Sequence, residues 1–186
     1  MKAKKIAKRE LKYAGSKKLR AVYRHTRRMV TLSEVFLEWF LENFRASFGT
    51  APYAYKKLLI RAAYLHDLLK AFPFYAKVHH KKWALREALG EYDLSHEKAL
   101  VDVIAAHKGK FNPPEDYELE SAILRICDKL DKFYKGQWDA WEKCEDSLAK
   151  IREVLDEKTG AVFEKTYREM LAAVIWDVKN ANRRFA

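Results

Sequence analysis

The stretch Lys57-Leu58-Leu59-Ile60-Arg61-Ala62-Ala63-Tyr64-Leu65-His66-Asp67-Leu68-Leu69-Lys70 decides how the rest of the chain is read. It contains no Gly or Pro, and its apolar residues run long enough for a buried helix. The pattern extends that helix from about Tyr53 to Ala71, and Pro73 forces a stop near Phe72. Three polar groups close it. On a helix His66 and Asp67 lie about 100° apart, and Lys70 follows one turn after His66 on the same face. A buried imidazole, carboxylate and ammonium need partners, because unpaired buried charge is costly. A divalent metal carrying a phosphate would satisfy all three.

Upstream, residues 3–13 read as a basic helix, with Gly15-Ser16 as a break and Ser16 as a candidate N-cap. Helical character resumes at Lys17 and runs through His25. A second apolar series, Val30, Leu32, Val35, Phe36, Trp39, Phe40 and Phe44, places one helix face in a core, and Gly49-Thr50-Ala51-Pro52 ends it. Pattern leaves open whether the chain bends between His25 and Thr31. Downstream, 78–89 reads as a short helix closed by Gly90. The next helix starts near Ser95, a plausible N-cap, and delivers His107 before Gly109 and Asn112-Pro113-Pro114. Residues from Glu115 to Phe133 make another, broken by Gly136. Beyond Trp138, Leu148, Ile151 and Leu155 mark one amphipathic helix stopped by Gly160. Phe163, Tyr167, Met170, Leu171, Val174 and Ile175 mark a second. No strand alternation and no repeat is present. The expected fold is all-α: seven or eight helices in a bundle with a C-terminal helical hairpin.

Charge divides the chain. Residues 1–28 carry twelve Lys and Arg against Glu10 alone, so the whole net charge of +11 falls there and the remainder is balanced. The expected organisation is a basic segment, 1–18, followed by a single helical domain, 19–186. A concentrated positive field favours phosphate or nucleic acid as a partner through residues 1–28; the competing reading is a solvated, solubilising arm. Tyr13 and Tyr23 stand among the cations, where stacking on a base is conceivable. With 49% hydrophobic residues, 186 residues suffice for one core. There is no run of eighteen apolar residues, so no membrane span is expected. The basic N-terminus lacks the apolar region of a secretory signal. Cys127 and Cys144 do not make a disulfide framework, and a reducing, cytoplasmic setting fits best. A single Gln beside abundant Lys, Arg and Glu hints at a thermophilic source.

Ala62-Ala63-Tyr64-Leu65-His66-Asp67-Leu68-Leu69-Lys70 resembles the signature of the HD superfamily of metal-dependent phosphohydrolases. In that family a first His, the His-Asp doublet and a distal Asp surround a metal inside a helical bundle. The other parts stand here in order: His25 in Tyr23-Arg24-His25-Thr26-Arg27-Arg28-Met29-Val30, and Asp128 in Ile123-Leu124-Arg125-Ile126-Cys127-Asp128-Lys129-Leu130-Asp131. The resemblance covers roughly His25 to Asp131. It implies a divalent metal on His25, His66, Asp67 and Asp128, a donor set suited to Mn, Fe, Zn, Co or Ni. It also implies hydrolysis of a phosphoester of a nucleotide or related compound, or of RNA or DNA held by the basic segment. Asp67 would then be both ligand and orienter of the attacking water, and Lys70 would hold a phosphoryl oxygen. Leu69 departs from the Gly that many relatives place before that Lys. The plain reading of Lys70 is a surface cation favoured by the helix dipole.

Two-metal relatives add histidines between the doublet and the distal Asp. Here the candidates are His79, His80, His96 and His107. One metal is favoured, with His107 orienting a ligand or contacting phosphate, and with His79 and His96 at the surface. Asp131, one turn after Asp128, either orients a ligand or pairs on the surface with Lys132 or Lys135. Trp138 and Trp141 read as core. The alternative from another class is a non-catalytic module of the same fold that binds nucleic acid or an acidic partner.

Overall fold

The structure is a computed structural model that describes residues 2–44, 52–109, 111–135, 137, 140–153 and 155–184. Eight α-helices follow in order: α1 (Lys2–Ala7), α2 (Lys17–Phe44), α3 (Pro52–Leu65), α4 (Lys82–Gly90), α5 (Lys98–Ala106), α6 (Glu118–Tyr134), α7 (Ala140–Arg152) and α8 (Glu157–Arg184). No strand occurs among the described residues. The all-α bundle with a closing hairpin is therefore the observed fold.

At the centre, α2 packs against α3, α6 and α8, and α6 reaches α3, α5, α7 and α8 as well. One continuous apolar cluster runs from Ala3 to Leu171. The hairpin joins it through Phe163, whose ring centroid lies 5.0 Å from that of Phe36 and 5.8 Å from that of Phe40. Helix α2 is one uninterrupted element, so the chain does not change direction after His25. Its start is capped by Ser16, whose hydroxyl accepts from the Leu19 N–H at 3.5 Å.

The basic start of the chain is docked rather than free. Ala3, Ile6, Ala7 and Leu11 recur at helical spacing and are buried in the common core, so the lysines around them point outward. This helix continues from α1 as a wider π-turn over Lys8–Lys12. Arg9 lies over the Tyr92 ring at 5.2 Å and pairs with Glu10 at 2.5 Å.

Several boundaries depart from the pattern. The central helix ends at Leu65, not Ala71; a turn at His66-Asp67 leads into a short 3₁₀ segment, Leu68–Ala71. Nothing local asks for that break, because Leu, Lys and Ala are good helix formers; tertiary demands on the two polar side chains override propensity. Helix α4 starts at Lys82, so His79 and His80 lie on turns. Helix α5 starts at Lys98 after Glu97, and Ser95 is not its cap. A 3₁₀ turn, Glu115–Tyr117, precedes α6. Gly160 does not stop a helix; it lies in the first turn of α8, whose start is capped by Asp156 accepting from the Thr159 N–H at 3.0 Å. Residues 49–51, Gly136 and Trp138, and the side chains of Phe44, Phe133, Trp141, Val174 and Ile175, lie outside the described residues.

Candidate metal centre

Three helices, α2, α3 and α6, converge, and each brings polar side chains inward. His25 comes from the middle of α2, His66 and Asp67 from the turn that ends α3, and Asp128 from α6. His66, Asp67 and Asp128 are all buried. The break at Leu65 matters here. Asp67 adopts φ −109°, ψ 10°, off the helical track, and its carboxylate shares a centre with the imidazole before it.

The donor atoms are close. His25 Nε2 lies 3.1 Å from His66 Nε2, 3.5 Å from Asp67 Oδ2 and 3.4 Å from Asp128 Oδ1, while His66 Nε2 lies 3.6 Å from Asp67 Oδ2. Two ligand atoms each about 2.1 Å from one ion stand about 3.0 Å apart at a right angle and about 3.4 Å apart at the tetrahedral angle. The His25–His66 and His25–Asp128 separations fall in that range, and the two to Asp67 lie 0.1–0.2 Å beyond it. His25, His66 and Asp128 form a group that could hold a metal ion.

Hydrogen bonds on the far side of each ring fix what faces the centre. His66 Nδ1 donates to the Ala63 carbonyl at 2.8 Å, which leaves Nε2 as a bare lone pair. Burial keeps His66 neutral, lowering its pKa despite the adjacent Asp67. His25 Nδ1 donates to Asp131 Oδ2 at 2.7 Å. For His25 burial opposes protonation, but hydrogen bonds donated to Asp128 and Asp131 outweigh it and raise the pKa. The carboxylates of Asp67 and Asp128 are held below the usual range: burial opposes ionisation, and the surrounding histidines and lysines overcome it. Two imidazole nitrogens and two carboxylate oxygens at such distances repel one another unless a proton or a cation lies between them. The chemistry of this donor set therefore fits a divalent metal, which would replace a proton on His25.

Around the centre, Asp131 is fully buried, which overturns the reading of it as a surface pairing residue. It orients His25, and it pairs with Arg28 and, at 3.0 Å, with Lys135. Lys70 donates to Asp67 Oδ2. Lys129 holds Asp128 Oδ2 at 2.7 Å, leaving Oδ1 toward the centre. His107, at the end of α5, is fully buried; Nδ1 donates to the Ile104 carbonyl and Nε2 has no partner. Burial pushes its pKa down to about 3. Its ring meets that of His66 edge-on, 5.4 Å between centroids.

A 610 Å³ cavity opens onto this centre, lined by His25, Asp67, Lys70, His107, Asp128 and Asp131 together with Lys18, Lys108, Arg125, Lys129, Lys132 and Lys135. Its three carboxylates are engaged, so the cavity suits an anion.

His79 is a correction. It is 8% exposed, not at the surface, because the turns after Pro73 fold it back. Its Nε2 accepts from Lys108 Nζ at 2.9 Å and lies 3.8 Å from Asp67 Oδ1, itself without a hydrogen-bond partner. His96 does lie outside, with its side chain 68% exposed. Arg28, Lys108 and Arg125 escaped the sequence reading. Arg125 donates to the carbonyls of His107 and Gly109, at 3.4 and 3.0 Å, tying the end of α5 to α6. A Lys or Arg carries no sign in the sequence of a partner that packing brings to it, as it brings Asp131 to Arg28.

The model of the HD domain matches residues 22–132, more than half of the chain. No curated protein and no solved structure matches. The chain belongs to the HD superfamily of metal-dependent phosphohydrolases.

Proposed function

We propose that this HD-domain protein hydrolyses a phosphate ester of a nucleotide or a related compound, in the 610 Å³ cavity and with a divalent metal held by His25, His66, Asp67 and Asp128. The convergence of His66, Asp67 and Asp128 donor atoms within 3.5 Å of His25 Nε2 carries the reading. When bound, such a metal would acidify water and neutralise phosphate charge. The protein's own groups supply the rest. Asp67 Oδ1, buried and unpartnered, is placed to accept a hydrogen bond from the attacking water and orient it. Lys70 is placed to exchange Asp67 for a phosphoryl oxygen. His107 keeps a bare Nε2, because its other nitrogen is committed to a carbonyl. That makes it an acceptor for a water or hydroxyl proton, and argues against direct contact with a phosphate oxygen. Lys108 stands on His79 Nε2, where a second ion would have to bind, so a single metal is the reading that this geometry favours. Cys127 and Cys144 are unpaired buried thiols, in keeping with a reducing setting.

The test is a screen of p-nitrophenyl phosphate, its bis ester and nucleotides with added Mn, Co, Ni, Zn or Fe, run on wild type and Asp67→Ala. Metal-dependent turnover in the wild type, lower by at least about a thousandfold in the variant, is the expected result. Activity indistinguishable between the two, or no metal bound by protein purified without chelator, would favour a non-catalytic module.

A further inference from the structure

The cations of residues 1–28 do not form one patch. Lys18 faces the metal cavity, Arg9 pairs with Glu10, and Lys2 lies 4.0 Å from Asp93. A further set lines a separate cavity of 570 Å³, walled by α2 and the preceding π-turn: Lys12, Arg20, Arg24, Arg27 and Arg28, with Tyr23, Thr31 and Leu32. Tyr23 is buried, while Arg20, Arg24 and Arg27 are exposed. Among the described residues the two cavities share no lining residue, and Arg28, in the second, is committed to Asp131.

We infer that this second cavity is a binding site for a ligand bearing two or more closely spaced phosphates, distinct from the substrate site at the metal. Among the described residues five cations line it and no carboxylate does. Among the described residues Arg20, Arg24 and Arg27 make no hydrogen bond or ion pair through their side chains. In the metal cavity, by contrast, Lys70, Lys129 and Lys135 each have a carboxylate partner. A solvated face would be convex and interspersed with Asp or Glu; like charges gathered in a concavity repel unless an anion enters. Its volume is that of a small-ligand site. From Arg20 to Arg27 the helix rises about 10 Å, room for about three phosphates at the spacing along a nucleic-acid strand. Planar guanidinium forks suit phosphate oxygens better than ammonium groups do. The ligand's source is either a free oligophosphate, nucleotides included, or the backbone of a single strand.

The full chain, with and without Arg24→Glu/Arg27→Glu, would be titrated with inorganic tripolyphosphate by calorimetry and with a fluorescein-labelled 12-nucleotide RNA by anisotropy. Arg24→Gln/Arg27→Gln and Lys4→Glu/Lys5→Glu would be run beside them. Both arginine variants change exposed side chains, and thermal melts check that they fold. The expected result is a weakening of about tenfold or more in at least one arm for Arg24→Glu/Arg27→Glu, a smaller loss for the Gln pair, and a change within about twofold for Lys4→Glu/Lys5→Glu, which alters as much charge on exposed residues outside both cavities. If RNA is the ligand, the salt dependence should lose about two phosphate contacts. Loss in the tripolyphosphate arm alone assigns the site to free oligophosphates. Arginine variants that bind as wild type, a loss as large from Lys4→Glu/Lys5→Glu, or equal competition by polyglutamate would overturn the inference. Metal content of the same preparations, by elemental analysis, separates this outcome from any failure at the metal centre.

Discussion

Helix α6 carries buried carboxylates at both ends, and they live under opposite rules. Near its start Glu120 is 1% exposed, and neither of its carboxylate oxygens has a hydrogen-bond partner. Burial pushes its pKa up to about 7. Two turns and more along, Asp128 and Asp131 are buried too, yet imidazoles, lysines and Arg28 hold them ionised. The side chains are nearly the same; what differs is whether another element delivers a cation or a proton donor. A buried acid on this helix thus marks function only where the bundle supplies partners from elsewhere in the chain.

The largest effect should come from cutting one of those partners. Asp131→Asn keeps the shape of the side chain and removes the charge that holds His25 Nδ1 and Arg28. Metal affinity should fall roughly ten- to a hundredfold, since groups that orient metal-bound histidines carry about that much. Metal-free stability should fall by about 2–3 kcal/mol, because Arg28 loses its partner beside a buried amide. Metal titration and denaturant unfolding measure the two. Unchanged metal affinity would make Asp131 a structural anchor only, and the contrast between the two ends of α6 would lose its functional meaning.

Much of this contrast could be read before the fold was known. His66 and Asp67 stand out as polar groups closing an apolar helix, whereas His25 and Asp128 join them only through the resemblance to the HD superfamily; apolar periodicity placed two of the three elements that carry the four. The helical bundle followed from the same periodicity. Other parts depend on through-space partners. The turn at His66-Asp67 is written in good helix formers. His79 returns to the site through turns that short-range patterns do not describe. Arg28 and Asp131 are neighbours only because α2 packs on α6. Glu120 is different: it occupies the apolar stripe of α6, with Ile123, Leu124 and Cys127 following at intervals of three and four. That stripe was legible as a core face; a carboxylate on it was a signal that went unused.

A second, intermediate effect tests the other end of α6 through pH. Glu120 has a folded pKa of about 7 against an ordinary value of 4.5, so between those pH values the unfolded chain releases a proton that the folded chain keeps. Its contribution is favourable below about 4.5 and is lost as pH rises toward 7. Asp128 and Asp131 behave in reverse in the metal-free protein: their pKa values lie below 3.8, so their contribution is present above that value and lost as pH falls through it. Glu120→Gln should therefore stabilise the protein by about 2 kcal/mol at pH 8, an effect that fades toward pH 4.5. Unfolding midpoints at pH 4.5, 6 and 8 decide it. A gain independent of pH would mean that Glu120 is not the group titrating.

The smallest effect separates the two cations that hold Asp131. Lys135 reaches it from one turn further along α6 at 3.0 Å, with its side chain 41% exposed, whereas Arg28 comes across from α2 and is 28% exposed. A half-exposed ammonium on a flexible stem contributes little, because water screens it and ordering the stem costs entropy. Lys135→Ala should cost no more than about 0.5 kcal/mol in stability and leave metal affinity within about twofold. Arg28 presents a planar fork, and two of its nitrogens reach the carboxylate. A loss on Lys135→Ala as large as that from Asp131→Asn would show that the carboxylate depends on its own helix, and that the packing of α2 on α6 is not what sets the charge of this end.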